Sequence, residues 1–170
     1  MIVYNPKSGR QNFSNKLYEV MERVKPHFHD TFVYATEYPN HATELTEMAC
    51  REKYDMLIIV GGDGTFNECL NGMMKYEYRP RIGYLPAGTC CDIGMSLGLS
   101  KNIKKSLDII FSGVPVKMDV VKTNDIYSCY VIATGAFIDI SYVTDSKLKK
   151  KIGYLAYLVK AFEEIFTIPK

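Results

Sequence analysis

The apolar run Met56-Leu57-Ile58-Ile59-Val60 leads into Gly61-Gly62-Asp63-Gly64-Thr65 and then into Phe66, Cys69, Leu70 and Met73, apolar positions at helical spacing. Strand, glycine turn and helix start, in that order, open a βα unit and put the turn at the carboxyl end of a strand, where ligands collect in open α/β sheets. Glycines without Cβ let backbone N–H groups approach a phosphate closely, and the helix start adds unsatisfied donors and partial positive charge. A carboxylate among such donors repels phosphate unless a cation lies between them. Asp63 therefore points to a magnesium-bound nucleotide, since Mg²⁺ is held by one or two carboxylates together with phosphate oxygens and water. The plainer alternative is a tight Asp-Gly turn capped by Thr65, with no ligand. It is outweighed by related loops elsewhere in the chain.

A length of 170 residues allows one domain, or one domain and part of another. With 47% hydrophobic and 24% charged residues the chain can bury a core, which excludes general disorder. Lys and Arg number 21 against 19 Asp and Glu, so nothing calls for nucleic acid as a partner. Cys50, Cys69, Cys90, Cys91 and Cys129 show neither zinc-ligand spacing nor an even disulfide framework, and read as reduced thiols. The first apolar stretch, Ile2 to Tyr4, is cut off by Asn5-Pro6, and no segment has the roughly 20 apolar residues of a membrane span. A cytoplasmic protein is expected, one that can still touch a membrane surface.

Through residue 112 short apolar runs alternate with amphipathic stretches, the pattern of βα units around a mainly parallel sheet. Strands are expected at Ile2 to Tyr4, Thr31 to Ala35, Met56 to Val60 and Ile82 to Leu85. Helices are marked by Leu17, Val20, Met21 and Val24; by Leu45, Met48 and Ala49 behind an Asn40 cap; by the Phe66 stripe; and by Ile103, Leu107, Ile110 and Phe111. From residue 113 the pattern changes. Val114, Val116, Met118 and Val120 alternate at period two, Thr123-Asn124-Asp125 reads as a turn, and Ile126 to Thr134 resumes β character, predicting a hairpin that opens a second domain over 113–170. A basic run, Lys147 to Lys151, and an apolar helix from about Ile152 to Phe166 follow.

The loops Asn5-Pro6-Lys7-Ser8-Gly9, Gly61 to Thr65 and Pro86-Ala87-Gly88-Thr89 all fall at carboxyl ends of expected strands, so one sheet edge would gather them into one cleft. Each offers small residues, backbone donors or hydroxyls suited to phosphate. Neither GxxxxGK[ST] nor GxGxxG occurs, which excludes P-loop enzymes and typical dinucleotide dehydrogenases.

Together with Thr36-Glu37, Asn40-His41-Ala42, Asn67-Glu68 and Asp92, these motifs, in this order, resemble the diacylglycerol kinase catalytic domain, a family that includes bacterial lipid kinases, sphingosine kinases and ceramide kinases. The resemblance implies a Rossmann-like α/β domain over 1–112, a parallel sheet with flanking helices as in NAD kinases and diacylglycerol kinases, followed by the start of a β-rich lipid-substrate domain. It implies ATP and Mg²⁺ as cofactors and transfer of the γ-phosphoryl group to the hydroxyl of diacylglycerol or a related membrane lipid, in peripheral contact with the inner face of the membrane. By position Asn5, Thr36, Gly62, Gly64 and Thr89 match residues that hold ATP, with Gly61 and Thr65 in the same turn. Asp63 matches an acidic residue assigned to metal organisation or to deprotonating the substrate hydroxyl, and Asp92 and Asp119 match its partners in a water-linked magnesium network. Lys150 lies near the place of a phosphate-binding arginine of sphingosine kinases.

Taken singly, each residue has a structural alternative. Asp92 could cap a short helix, Asp119 could be a strand-edge charge, Thr36 an ordinary strand-end hydroxyl and His41 a packed residue at a helix start. Lys147 to Lys151 could be a solvated face, or could meet anionic headgroups. The chain departs from the family where Cys90-Cys91 stand in place of the common Gly-Asn, and a thiol lacks the donors and acceptor of an amide, so contacts there are expected to change. The late acidic residue and further β strands of bacterial relatives are not in the sequence, so a shortened product, inactive alone, is expected, with an uncovered sheet edge favouring a homodimer. Two other readings are an NAD kinase, which shares the Gly-Gly-Asp-Gly turn, and a catalytically dead nucleotide-binding module.

Overall fold

The strands of the sheet alternate two sets of apolar side chains, so both faces need cover, and helices supply it on each side. The computed structural model describes residues 1–9 and 13–131. Its elements are β1 (Ile2–Tyr4), α1 (Leu17–Val24), β2 (Val33–Ala35), α2 (His41–Arg51), β3 (Met56–Gly61), α3 (Asp63–Met73), β4 (Arg81–Pro86), α4 (Asp92–Ser96), α5 (Ile103–Ser112), β5 (Val121–Thr123) and β6 (Ile126–Ser128). Four strands form one sheet in the order β2-β1-β3-β4. All three pairings are parallel, with Ile2 opposite both Val33 and Ile58, and Val60 opposite Leu85. The expected α/β architecture, a parallel sheet with flanking helices, is the one observed.

Neighbouring strand residues serve opposite faces. Val3, Leu57, Ile59 and Tyr84 pack with Ala42, Leu45 and Ala49 of α2, Phe66, Cys69 and Met73 of α3 and Ile93 of α4. Ile2, Ile58, Val60 and Leu85 pack with Val20 and Val24 of α1 and Leu107 of α5. The parallel ladder brings every carboxyl end to one edge. It extends past the strands there: Asn5 N–H donates to Val60 O at 2.9 Å and Thr36 N–H to Tyr4 O at 2.8 Å.

Several local expectations are corrected. The Val114 to Val120 alternation does not form a strand: residues 114–120 are irregular, and Val114 is 88% exposed. Alternation sets a strand only where one whole face is buried, and here Val114 and Val116 are exposed although Met118 packs against the core. The hairpin itself is present one step later, with Asn124 in the left-handed region (φ 54°) at a two-residue Asn124-Asp125 turn. It is held to α3 by Asn71, whose amide donates to Tyr127 O (2.9 Å) and accepts from Tyr127 N–H (2.8 Å). Asn40 occupies the N-cap position of α2 but at φ 65° and without a side-chain cap bond. Thr65 does not cap α3; Gly62 holds that position. The expectations for Ile132 to Thr134, for Lys147 to Lys151 including Lys150, and for the helix from Ile152 lie outside the described residues.

Burial of ionisable groups in this core makes the fold sensitive to alkali. Burial pushes the Cys69 thiol from 9.0 up to about 12, and raises Cys50 and Cys91 as well. Between those limits the folded chain keeps a proton on Cys69 that the unfolded chain releases, so stability must fall as pH rises above 9.0. Cys69 alone adds about 1.4 kcal/mol of loss per pH unit within that window. Urea denaturation at about pH 8 and about pH 10 measures the slope, and Cys69→Ala is expected to flatten it.

Candidate active site

The strand order brings the loops after β1, β3 and β4 side by side, and hydrogen bonds lock them together. Asn5 uses both ends of its amide: Oδ1 accepts from Lys7 N–H at 2.8 Å, turning its own loop, and Nδ2 donates to Thr65 Oγ1 at 3.2 Å, tying that loop to the first turn of α3. Thr65 is buried, and a Cβ on Gly61 would lie 2.6 Å from the Thr65 Cβ, so this pair forms the floor of the turn. The β4 loop closes on the turn from the other side. Ala87 and Gly88 N–H both donate to Gly61 O, at 2.8 and 3.2 Å.

Two glycines permit that approach. A Cβ on Gly88 would stand 2.5 Å from Gly62 Cα, and one on Gly9, itself at φ 61°, 2.1 Å from Ala87 O. No side chain can enter either contact without moving backbone. Gly64 is the opposite case: a Cβ there would meet nothing within 4 Å. Glycine in a helix is unfavourable by about 1 kcal/mol relative to alanine, and none of the described residues fills the space that its absence of side chain leaves.

Asp63, at the first position of α3, is only partly exposed, and its carboxylate is fixed by a partner far along the chain. Oδ2 accepts from Asp92 N–H and Oδ1 from Ile93 N–H, each at 3.1 Å, so Asp63 caps α4 across the cleft. An ionised carboxylate offers about four lone-pair positions, which leaves acceptor capacity on both oxygens. Asp92 follows the N-cap of α4 rather than capping it, and its side chain is exposed. Asp119 is exposed in the irregular segment before β5. Among the described residues no group of three or more His, Cys, Asp or Glu side chains is gathered as a direct metal cage. Thr36 is buried at the end of β2, and the Thr89 carbonyl accepts from Lys101 Nζ.

Cys91, where the chain departs from the family pattern, joins the β3 and β4 loops. Cys91 is fully buried, sits in the left-handed region at φ 61°, and is the N-cap of α4. Its Sγ accepts from Gly88 N–H at 3.0 Å and lies 3.8 Å from Gly61 O as donor. Burial raises its pKa, which keeps the donating S–H form. Tyr84 Oη donates to the same Gly61 carbonyl at 3.2 Å. One thiol thus fills a donor and an acceptor role between the two loops. An asparagine would fill both with stronger geometry and tolerate φ > 0 better, so Cys91→Asn is expected to stabilise the fold by about 1 kcal/mol, read by thermal or urea denaturation.

Sequence reasoning missed the bond from Asp63 to α4, the Gly61 carbonyl as the joint of three elements, and Lys101 beside the loop after β4. Each joins residues at least 12 apart in sequence with no periodic signal between them.

A family model, the diacylglycerol kinase catalytic domain, matches residues 1–123. Diacylglycerol kinase from Staphylococcus carnosus is 41% identical over 162 residues, 95% of this chain and 53% of that protein. The enzyme from Staphylococcus aureus is 40% identical over 95% of this chain and 51% of its own length. A crystal structure of a diacylglycerol kinase from Bacillus anthracis superposes with a TM-score of 0.68 at 31% identity, covering 74% of this chain and 44% of that one. The chain spans about half the length of the curated relatives it matches. No helix among the described residues is long and apolar enough to cross a membrane. With the family model matching most of its length and these relatives on either side, the chain belongs to the diacylglycerol kinase catalytic-domain family.

Proposed function

We propose that this chain is the nucleotide-binding part of an ATP-dependent lipid kinase, which transfers the γ-phosphoryl group of Mg-ATP to a diacylglycerol-like hydroxyl. The observation that carries the reading is the open surface at Gly64, in the turn where three loops interlock and next to Asp63, whose carboxylate is already held in place by α4. Asn5, Gly61 and Thr65 shape that turn; Gly62 and Gly64 give a polyphosphate access to the first-turn amides of α3; Thr89 follows the adjacent strand β4, and Thr36 follows β2, two strands from β3. In this reading the lipid oxygen bonds to the γ-phosphorus, the bond from that phosphorus to ADP breaks, and the hydroxyl proton passes to a carboxylate. Asp63 is the acceptor on this chain, fixed against rotation by two N–H groups.

The donor set fits a hard cation. Mg²⁺ needs few protein ligands and keeps waters, so the spare acceptor positions of Asp63 would hold it, and Asp92 and Asp119 would be its water-linked partners in this reading. Magnesium, when bound, supplies neutralisation of the charge that phosphoryl transfer develops on the phosphate oxygens. A lipid acceptor brings a cytoplasmic protein to the inner face of the membrane as a peripheral visitor. The chain supplies the nucleotide half of the site, and turnover requires the half of its relatives' length that it does not span.

Radiolabelled ATP with diacylglycerol, sphingosine or phosphatidylglycerol in mixed micelles, and with NAD, tests the assignment alongside calorimetry of Mg-ATP binding. The chain is expected to bind Mg-ATP without turnover, and a protein extended to the length of its relatives to label diacylglycerol. Labelled NAD would overturn the lipid reading, rapid lipid turnover by the chain alone would overturn the division of the site, and lack of ATP binding would overturn the whole.

A further inference from the structure

Beside the phosphate cradle, at the carboxyl end of the edge strand β2, two aromatic rings are stacked and locked. Tyr38 and His41 lie with centroids 4.3 Å apart and planes within 6° of parallel. Asn40, left-handed at φ 65°, turns the chain back so that His41 N–H reaches Tyr38 O at 3.2 Å. Each ring is then held from its rim. Tyr38 Oη donates to Glu44 Oε2 at 2.7 Å, and His41 Nδ1 accepts from Glu37 N–H at 3.1 Å. Tyr38 nonetheless remains 47% exposed, although only one of its faces is occupied by His41. A rigid, half-exposed aromatic ring at a ligand-collecting edge is a ready stacking surface, because immobilising it costs no further side-chain entropy.

Its position relative to the cradle sets what can stack there. The β2 ladder continues through Thr36, whose N–H donates to Tyr4 O, so Tyr38 leaves the edge two residues later. In the order β2-β1-β3-β4 the end of β2 is two strands from the end of β3, about 10 Å at ordinary strand spacing. That separation suits a sugar and its first phosphate bridging a planar base at β2 and a polyphosphate at Gly62 and Gly64. We propose that the Tyr38–His41 pair is the stacking platform for the base of the bound nucleotide, an inference that rests on the nucleotide reading of the cradle given above. The hydrogen bond to Glu44 raises the Tyr38 pKa, so the ring presented is the neutral phenol.

Stacking on a π-face is tolerant of base identity, so the pair contributes affinity for nucleotides over bare polyphosphate rather than choice of base. The test is calorimetric titration of the chain, in magnesium, with ATP, GTP and inorganic tripolyphosphate. Tyr38→Ala is expected to raise the Kd for ATP and for GTP by about tenfold while leaving tripolyphosphate unchanged. Tyr38→Phe keeps the ring without the Glu44 bond and is expected to restore binding to within about twofold of the native chain. A role confined to starting α2 would lower the melting temperature of Tyr38→Ala without separating the ligands. Equal ATP affinity in Tyr38→Ala, or an equal loss for ATP and tripolyphosphate, would overturn the platform while leaving the phosphate cradle standing. Failure of the unsubstituted chain to bind either ligand would overturn the nucleotide reading and the platform with it.

Discussion

Converting Asp63 to asparagine is expected to remove about 10²–10⁴ of the phosphoryl-transfer rate in a protein long enough to turn over, the usual worth of a positioned general base. The isosteric amide keeps the shape of the side chain but loses its charge, its capacity as a proton acceptor and its hold on a cation. It also disturbs the fold. Asp92 and Ile93 each donate an N–H to a separate oxygen, whereas the amide has one acceptor, so one N–H would face another donor. Asp63→Ala leaves both N–H groups at the start of α4 without their partner, at about 1–2 kcal/mol. The two variants together separate the roles: urea denaturation reads the cap of α4, and labelled-phosphate transfer reads the chemistry. An Asp63→Asn protein with native turnover would remove Asp63 from the reaction and leave it a structural cap.

Gly64→Ala is expected to move stability and binding in opposite directions. The free chain should gain up to about 1 kcal/mol, because alanine is the better helix former and its Cβ would meet nothing within 4 Å. Nucleotide affinity should fall by at least about tenfold, since the same methyl group would stand where a phosphate must approach the first-turn amides. Few substitutions distinguish a ligand cradle from a structural turn so cleanly. Gly88→Ala would not, because its clash with Gly62 Cα disturbs the fold with or without a ligand. Thermal denaturation and calorimetry on a single preparation measure both effects; a stabilised Gly64→Ala chain that binds ATP normally would mean that the open space at Gly64 serves no phosphate.

The sheet and its order of helices were legible because their signal is local and repeated. Ile58 and Val60 face one layer of helices, Leu57 and Ile59 the other, and such a run reads as a strand buried on both sides from sequence alone. The three loops were legible for the same reason: each directly follows a strand, and parallel pairing leaves no choice about which edge they share. What stayed hidden is the wiring between them. The bonds from Asp63 to α4, Asn5 to Thr65 and Asn71 to Tyr127 join residues 29, 60 and 56 positions apart or nearby, separations that no period of 2 or 3.6 encodes. The part Cys91 plays was hidden too, because composition shows a thiol in place of an amide but not that, buried at φ 61°, it can accept from Gly88 and donate to Gly61 together. The Val114 to Val120 pattern failed in the other direction: the periodicity is right, but Val114 and Val116 are exposed and the segment pairs with no strand among the described residues.

The central claim is that the amides around Asp63 receive a magnesium-chelated polyphosphate, and amide chemical-shift mapping of the labelled chain during titration with Mg-ATP tests it most directly. The largest shifts are expected on Gly62, Gly64 and Thr65, with Gly88 and Thr89 next, and should shrink when magnesium is withdrawn. Shifts concentrated elsewhere, for example on Phe28, Phe32 and Tyr54 at the far end of the strands, with the Gly61 to Thr65 amides unmoved, would contradict it.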